Sequence, residues 1–352
     1  MARDVKLIKK EEISELNRLF YNDDKAWDWF INEIVSDRIP MCSKHRAFKH
    51  IHKNGKYRYF ACPTCKTKTS VLSDTKFSKT KIGLGITLLV CRYYWMKIPN
   101  KTIATLLFID EDTVGYWGSV IRKTCAEIWN ERQVSIGGEG KIVEIDEAIW
   151  RKRKFHRGRK KKQIWIFGGV ERKEDGGAGG RFMVVVPNRK RETLIPLIQK
   201  YIKEGTTIMS DEWRAYDILE TLGYKHLKVC HKRQFFNKDT GACTNTIEGL
   251  WHHLRCTFPS FGTRIRLMHD YLSLYLVKSS FNITFTELVK YLCMENDVDD
   301  EKEIEENEIE EEESEEIADI DDIFGEKVEG EKTESESDNG AGDGESASEY
   351  EP

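Results

Sequence analysis

The sequence has no apolar run long enough to cross a membrane: the longest, Ile82 to Val90, is far short of the roughly 20 residues a spanning helix requires. Its first ten residues are charged rather than apolar, so no secretory leader is expected. Internal repeats are absent. Nine cysteines, an odd number, do not form a disulfide framework, so thiols or metal ligands in a reducing compartment are expected. With no membrane partner indicated, the expected setting is the nucleus in a eukaryotic host and otherwise the cytoplasm.

Charge is present in quantity but divided along the chain. The 352 residues carry a net charge of −4, yet Glu295–Pro352 holds 28 acidic and 3 basic residues. The preceding 294 residues therefore hold 53 basic and 32 acidic residues, a net of +21. A strongly basic folded body calls for a polyanionic partner, of which nucleic acid is the usual one. The acidic tract has too few apolar residues to offset chain entropy, so a disordered tail is expected over 295–352, a solubilising extension first and, as the sharper alternative, a competitor with DNA for the basic body.

Apolar periodicity divides the remainder. Residues 1–40 show helical spacing in Ile13, Leu16, Leu19 and Phe20, then Trp27, Phe30, Ile31 and Ile34, and form a helical lead-in. Residues 41–70 carry Cys42-x2-His45 and Cys62-x2-Cys65 among short strand-like pieces. Zinc takes four soft or borderline ligands in a tetrahedron, and two knuckles supply two each, so a structural Zn²⁺ ribbon is expected. His50 and His52 lie close enough to replace His45 as the fourth ligand. Residues 71–135 read as helices over Lys81–Trp95, Lys101–Phe108 and Glu111–Trp129, with a turn at Ile109-Asp110. That pattern is like a helix-turn-helix, whose second helix presents its N-terminal residues to base edges. Thr113, Tyr116, Trp117 and Arg122 are its candidate DNA contacts.

From 139 to 290 the pattern changes to strands and then to alternating helices and strands. Ile142–Asp146, Gln163–Val170 and Arg181–Val186 are expected strands, with Asp175–Gly180 as a turn. Helix 192–202, strand 206–209, helix 214–222, strand 226–230 and helices from 246 and 269 follow. This order gives an α/β mixed sheet with helices on its faces. Three carboxylates stand out. Asp146 ends an apolar strand, Asp211 follows another, and Glu248 sits in the first turn of a helix. Carboxylates so placed can converge and hold hard cations, Mg²⁺ or Mn²⁺, for phosphodiester cleavage. Nine Lys/Arg lie within Arg151–Lys162, and Lys152, Arg153, Lys154, Arg157, Arg159, Lys160 and Lys161 are candidate phosphate contacts.

The blocks Val143-Glu144-Ile145-Asp146-Glu147-Ala148, Ser210-Asp211-Glu212-Trp213-Arg214-Ala215-Tyr216 and Thr244-Asn245-Thr246-Ile247-Glu248-Gly249-Leu250-Trp251 resemble the catalytic blocks of Merlin-superfamily DDE transposases and their bacterial insertion-sequence relatives. Thirty-six residues separate Asp211 from Glu248, similar to the spacing in that family, and the resemblance covers about 40–280. It implies an RNase H-like fold with Asp146 on the first strand, Asp211 after the fourth and Glu248 on a later helix. It also implies cut-and-paste DNA transposition by a homo-oligomer on paired ends, with terminal inverted repeats and target DNA as partners. A domesticated DNA-binding protein without cleavage activity is the alternative. One departure is Cys243, where relatives often carry His.

Overall fold

In the computed structural model, which describes residues 15–150, 164–173, 177–229, 243–258 and 265–294, helix occupies 15–20 and then α1 (Asp23–Phe30). The Asn22 side chain accepts the Lys25 N–H and caps α1, and Asp23 and Asp24 favour its positive end. Phe20, Trp27, Phe30 and Ile34 recur on one side and are buried. Three antiparallel strands follow, β1 (His50–Asn54), β2 (Tyr57–Ala61) and β3 (Lys68–Ser70), in that spatial order. Gly55, at φ +58°, makes the tight turn between β1 and β2.

Helices α2 (Leu84–Trp95), α3 (Asn100–Leu107) and α4 (Glu111–Arg132) come next, close to the expected bounds. Helix α2 crosses the lead-in at Gly85, where a Cβ would stand 2.3 Å from the Phe20 carbonyl oxygen. Asp23 accepts the Gly85 N–H there at 3.0 Å, satisfying one of the free donors of the α2 N-terminus.

A short strand β4 (Ile136–Gly137) leads into β5 (Ile142–Ile149), β6 (Trp165–Arg172) and β7 (Ala178–Val186), which pair antiparallel. After α5 (Arg191–Tyr201), β8 (Ile202–Lys203) pairs parallel with β4. Strand β9 (Thr207–Asp211) then lies parallel to β5, and β10 (Lys225–Val229) parallel to β9. The sheet order is β10-β9-β5-β6-β7, with Val143, Ile145, Ile166, Phe167 and Ile208 fully buried within it. Helices α6 (Asn245–Thr257), α7 (Met268–Ser280) and α8 (Phe285–Leu292) complete the described chain. Helix α6 packs on β5 and β6, and α7 on β7 and α4. Helix α8 returns to the lead-in, where Phe285 stacks on Trp29 at 6.3 Å and lies 6.1 Å from Phe20. The lead-in, the helical module and the sheet thereby share one hydrophobic core.

Two expectations are corrected. Asp211 is the last residue of β9, not a residue beyond it. The glycines expected to form a turn over Asp175–Gly180 extend into β7. A Cβ on Gly179 would stand 2.9 Å from the Glu171 oxygen, and one on Gly180 would stand 2.7 Å from Ile136, so these glycines serve close approach within the sheet. The acidic tract 295–352 lies outside the described residues.

Candidate active site and metal centre

The ribbon brings four ligands together. In the first knuckle the Arg46 N–H donates to the Cys42 oxygen and the Cys42 N–H to the Ala47 oxygen. The second repeats this with Lys66, Cys62 and Thr67. Arg46 (φ +48°) and Lys66 (φ +59°) both take the left-handed conformation, a cost the tight knuckle imposes. The ligand atoms of Cys42, His45, Cys62 and Cys65 all lie within 4.8 Å of one another. Cys42 Sγ is 3.7 Å from Cys65 Sγ and 3.7 Å from His45 Nδ1, and Cys62 Sγ is 3.8 Å from that nitrogen. Ligands at zinc bond lengths sit at tetrahedron edges of about 3.5–3.8 Å, so the donor set and spacing fit zinc. The Thr67 hydroxyl, 3.0 Å from Cys65 Sγ, and its N–H push the Cys65 thiol down to about 6, with Cys62 and Cys42 contributing. His50 and His52 are not in the group: they lie on β1, where His52 stacks on Tyr59.

The second group forms just past the end of the parallel β5–β9 pairing; Asp146 does not end its strand as expected, because β5 runs on to Ile149 against β6. The last paired rung of β5 and β9 is Glu144 with Met209, so Asp146 and Asp211 each stand two residues beyond it. Carboxylate oxygens of Asp146, Glu147 and Asp211 lie within 4.8 Å of one another. Burial pushes the Asp146 carboxyl up to about 6 and outweighs the indole N–H of Trp251, which donates to it at 2.9 Å. The charges of Asp211 and Glu248 add to the rise. Burial likewise pushes Glu147 up to about 8, helped by Asp146 and Asp211 and opposed by Arg189. Crowded, buried carboxylates held near one another are the electrostatic condition a cation relieves.

Glu248 is not among the three. It lies in the first turn of α6, where the Thr244 hydroxyl lies 3.4 Å from it, close enough for its charge to act on Asp146. The third close carboxylate is Glu147, which is not among the three carboxylates expected from sequence. Its signal was a second acid directly after Asp146 in an apolar strand.

Other residues position these groups. Trp251 reaches Asp146 because Gly168 on β6 has no side chain: a Cβ there would stand 2.7 Å from the indole. Tyr216 donates to Glu147, and Arg189 lies 3.6 Å from it. The Arg189 guanidinium is held between the rings of Trp165 at 4.4 Å and Trp213 at 4.3 Å. Cys243, the departure from the family pattern, lies with its Sγ 2.5 Å from Arg172.

The helix-turn-helix contacts fare unevenly. Trp117 is 2% exposed and stacks on Phe77. Arg122 is 7% exposed, donates to Tyr94 at 2.5 Å and lies 4.4 Å over the ring of Tyr271 on α7. Both are corrected from DNA contacts to packing residues, because α4 uses that face to pack on α2 and α7. Thr113 is half-buried and Tyr116 exposed, beside Asp110, Glu111 and Asp112, which suit the helix dipole and oppose phosphate. Lys152, Arg153, Lys154, Arg157, Arg159, Lys160 and Lys161 lie outside the described residues. Among the described residues no helix is long and apolar enough to cross a membrane.

Residues 136–283 match the family model of the ISXO2-like transposase domain. An uncharacterized transposase-like protein of Haemophilus influenzae is 25% identical over 107 residues, 30% of this chain and 83% of that protein. The solved structure of the Mos1 strand transfer complex is matched at 10% identity and a TM-score of 0.26, over 59% of this chain and 73% of that one, too slight a likeness to carry an argument. The family match spans β4 to α7 and encloses Asp146, Asp211 and Glu248 alike. Residues 136–283 of this chain are thus similar to a transposase domain of the ISXO2-like kind.

Proposed function

We propose that this chain is a DNA transposase that cuts at the ends of its element and joins them to target DNA. The observation that carries the reading is the meeting of Asp146, Glu147 and Asp211 just past the end of the parallel β5–β9 pairing, within the segment that matches a transposase domain. An RNase H-like fold agrees with the sheet. Asp146 is on its first strand in chain order and Asp211 ends the fourth, with the later helix α6 carrying Glu248.

Asp146, Asp211 and Glu248, with Glu147 beside them, are the residues that would hold Mg²⁺ or Mn²⁺. Such ions supply charge neutralisation at phosphorus and a more acidic bound water. The protein supplies positioning, which is most of what phosphoryl transfer asks of it. Trp251 fixes the Asp146 oxygen, and Tyr216 and Arg189 fix Glu147. Zn²⁺ at Cys42, His45, Cys62 and Cys65 is structural, because all four positions are filled by protein ligands. The basic run 151–162 holds DNA phosphates, and the chain acts as a homo-oligomer on paired ends.

The test is cleavage of a labelled duplex carrying the element's own terminal repeat, with Mg²⁺ or Mn²⁺. Wild-type protein is compared with Asp211→Asn and Glu248→Gln. Nicking at the repeat boundary that both substitutions abolish is the expected result. Tight binding with no cleavage by the wild type would overturn it in favour of a DNA-binding protein that no longer cuts.

A further inference from the structure

With Arg122 and Trp117 packed inside the protein, the helical module loses two of its four candidate contacts, and the two that remain adjoin an acidic turn. The ribbon shows the opposite balance. Residues 41–70 contain eight Lys/Arg and three His and no Asp or Glu.

Strand register sorts these residues by face. Ile51, Arg58, Phe60 and Thr69 share the inner face. Arg58 is 6% exposed and lies 5.5 Å over Trp27 of α1, with its guanidinium 2.7 Å from Asp24. That contact fixes the sheet on the lead-in. Pairing of His52 with Tyr59, Asn54 with Tyr57 and Tyr59 with Ser70 puts His50, His52, Tyr57, Tyr59 and Lys68 on the other face. There His52 stacks on Tyr59 at 5.5 Å, Lys68 lies 4.8 Å over the same ring, and Lys56 lies 5.4 Å over Tyr57, which is 65% exposed. His50, His52, Lys56 and Lys68 are all exposed.

We propose that this outer face of the ribbon, centred on His52, Lys56, Tyr57, Tyr59 and Lys68, is a docking surface for double-stranded DNA. The inference rests on the transposase reading and assigns a DNA contact to the outer face of the β1–β2 hairpin and the adjoining β3 rather than to α4. Paired strands lie about 4.8 Å apart, so the hairpin fits a major groove about 12 Å wide. Its lysines meet phosphates, and its planar rings are pre-oriented by stacking and cation–π contacts, which lowers the ordering cost of binding.

Full-length protein would be titrated onto a fluorescently labelled 30-base-pair mixed-sequence duplex between 50 and 300 mM NaCl. Each lost phosphate contact removes about 0.9 from the log–log salt slope, which is about eightfold in affinity at 0.1 M salt relative to 1 M. Lys56→Ala/Lys68→Ala is expected to lower the slope by about two and weaken binding tens-fold. Lys56→Gln/Lys68→Gln keeps side-chain length and is expected to do the same. Tyr57→Ala weakens binding with the slope unchanged. Lys101→Ala on α3 leaves both as in the wild type. Wild-type affinity and slope in both lysine pairs would overturn the proposal. Manganese-dependent nicking of supercoiled plasmid, measured in parallel, separates it from its premise. Nicking with an unchanged salt slope removes the ribbon assignment and leaves the transposase reading. A wild type that neither binds nor nicks removes both.

Discussion

The carboxylate of Glu144 on β5 caps helix α6 from across the sheet: its Oε2 accepts the backbone N–H of Ile247 at 3.0 Å. Its Oε1 accepts the Thr246 hydroxyl at 2.7 Å and the Arg172 guanidinium at 2.5 Å. Thr244, the residue preceding α6, makes no side-chain cap of its own. A fully buried acid thus takes the place of a local cap and ties the Glu248 helix to the strand that carries Asp146.

Removing one partner of this buried pair strands the other. Glu144→Ala is expected to cost about 3–5 kcal/mol of stability, measured by urea unfolding. Glu144→Gln retains the Ile247 contact and costs less. A loss no larger than that of an exposed substitution, within about 0.5 kcal/mol, would show that α6 is held by its apolar face alone.

The fourth ligand of the metal centre is open to direct test. One equivalent of zinc per chain is expected by elemental analysis, lost in Cys62→Ser and His45→Ala but retained in His50→Ala and His52→Ala. Chelation should lower the melting temperature, because ligand binding to the folded ribbon is part of its folding free energy. Zinc retained without His45 but lost without His50 would contradict the arrangement of the knuckles.

Lys278 on α7 ties the sheet domain to the helical module, donating to the Trp95 oxygen with its ammonium 4.4 Å over that indole. Burial, with the nearby charge of Lys97, pushes its pKa down to about 8. Between pH 8 and about 10.4 the unfolded chain holds more protons at this site than the folded one. Stability from this group therefore rises with pH across that window. Relative to Lys278→Met, the wild type is expected to gain about 1–2 kcal/mol between pH 7.5 and pH 10, after discounting for partial solvent screening. Paired urea titrations at the two values check it; a constant difference would mean that the ammonium is effectively solvated.

Most helices and strands and the Cys/His group were readable because each rests on local chemistry, whereas of the close carboxylates only Asp146 and Asp211 were. The short β-branched run from Ile142 specifies a strand, and Cys-x2-Cys spacing specifies a knuckle whatever surrounds it. Burial was less readable where one helix packs on several partners. Arg122 looks like a surface cation midway along a recognition helix, and it is covered only when Tyr94 of α2 and, about 150 residues later, Tyr271 of α7 pack against it. Glycine was misread for a related reason. Gly179 and Gly180 carry a turn signal in sequence, yet they serve close approach to Glu171 and Ile136.

The sequence by itself determined that a basic body with paired knuckles and a carboxylate-bearing mixed sheet would form, since composition, spacing and periodicity act between near neighbours. Tertiary structure decided which carboxylates meet. Register at the Glu144–Met209 rung places Asp146 beside Asp211, and alternation within β5 gives Glu144 to α6. It also decided which face of the ribbon is free, because Asp24 and Trp27 reach Arg58 only after the lead-in has folded against β2. Such contacts join residues far apart in the chain, and no local pattern encodes them.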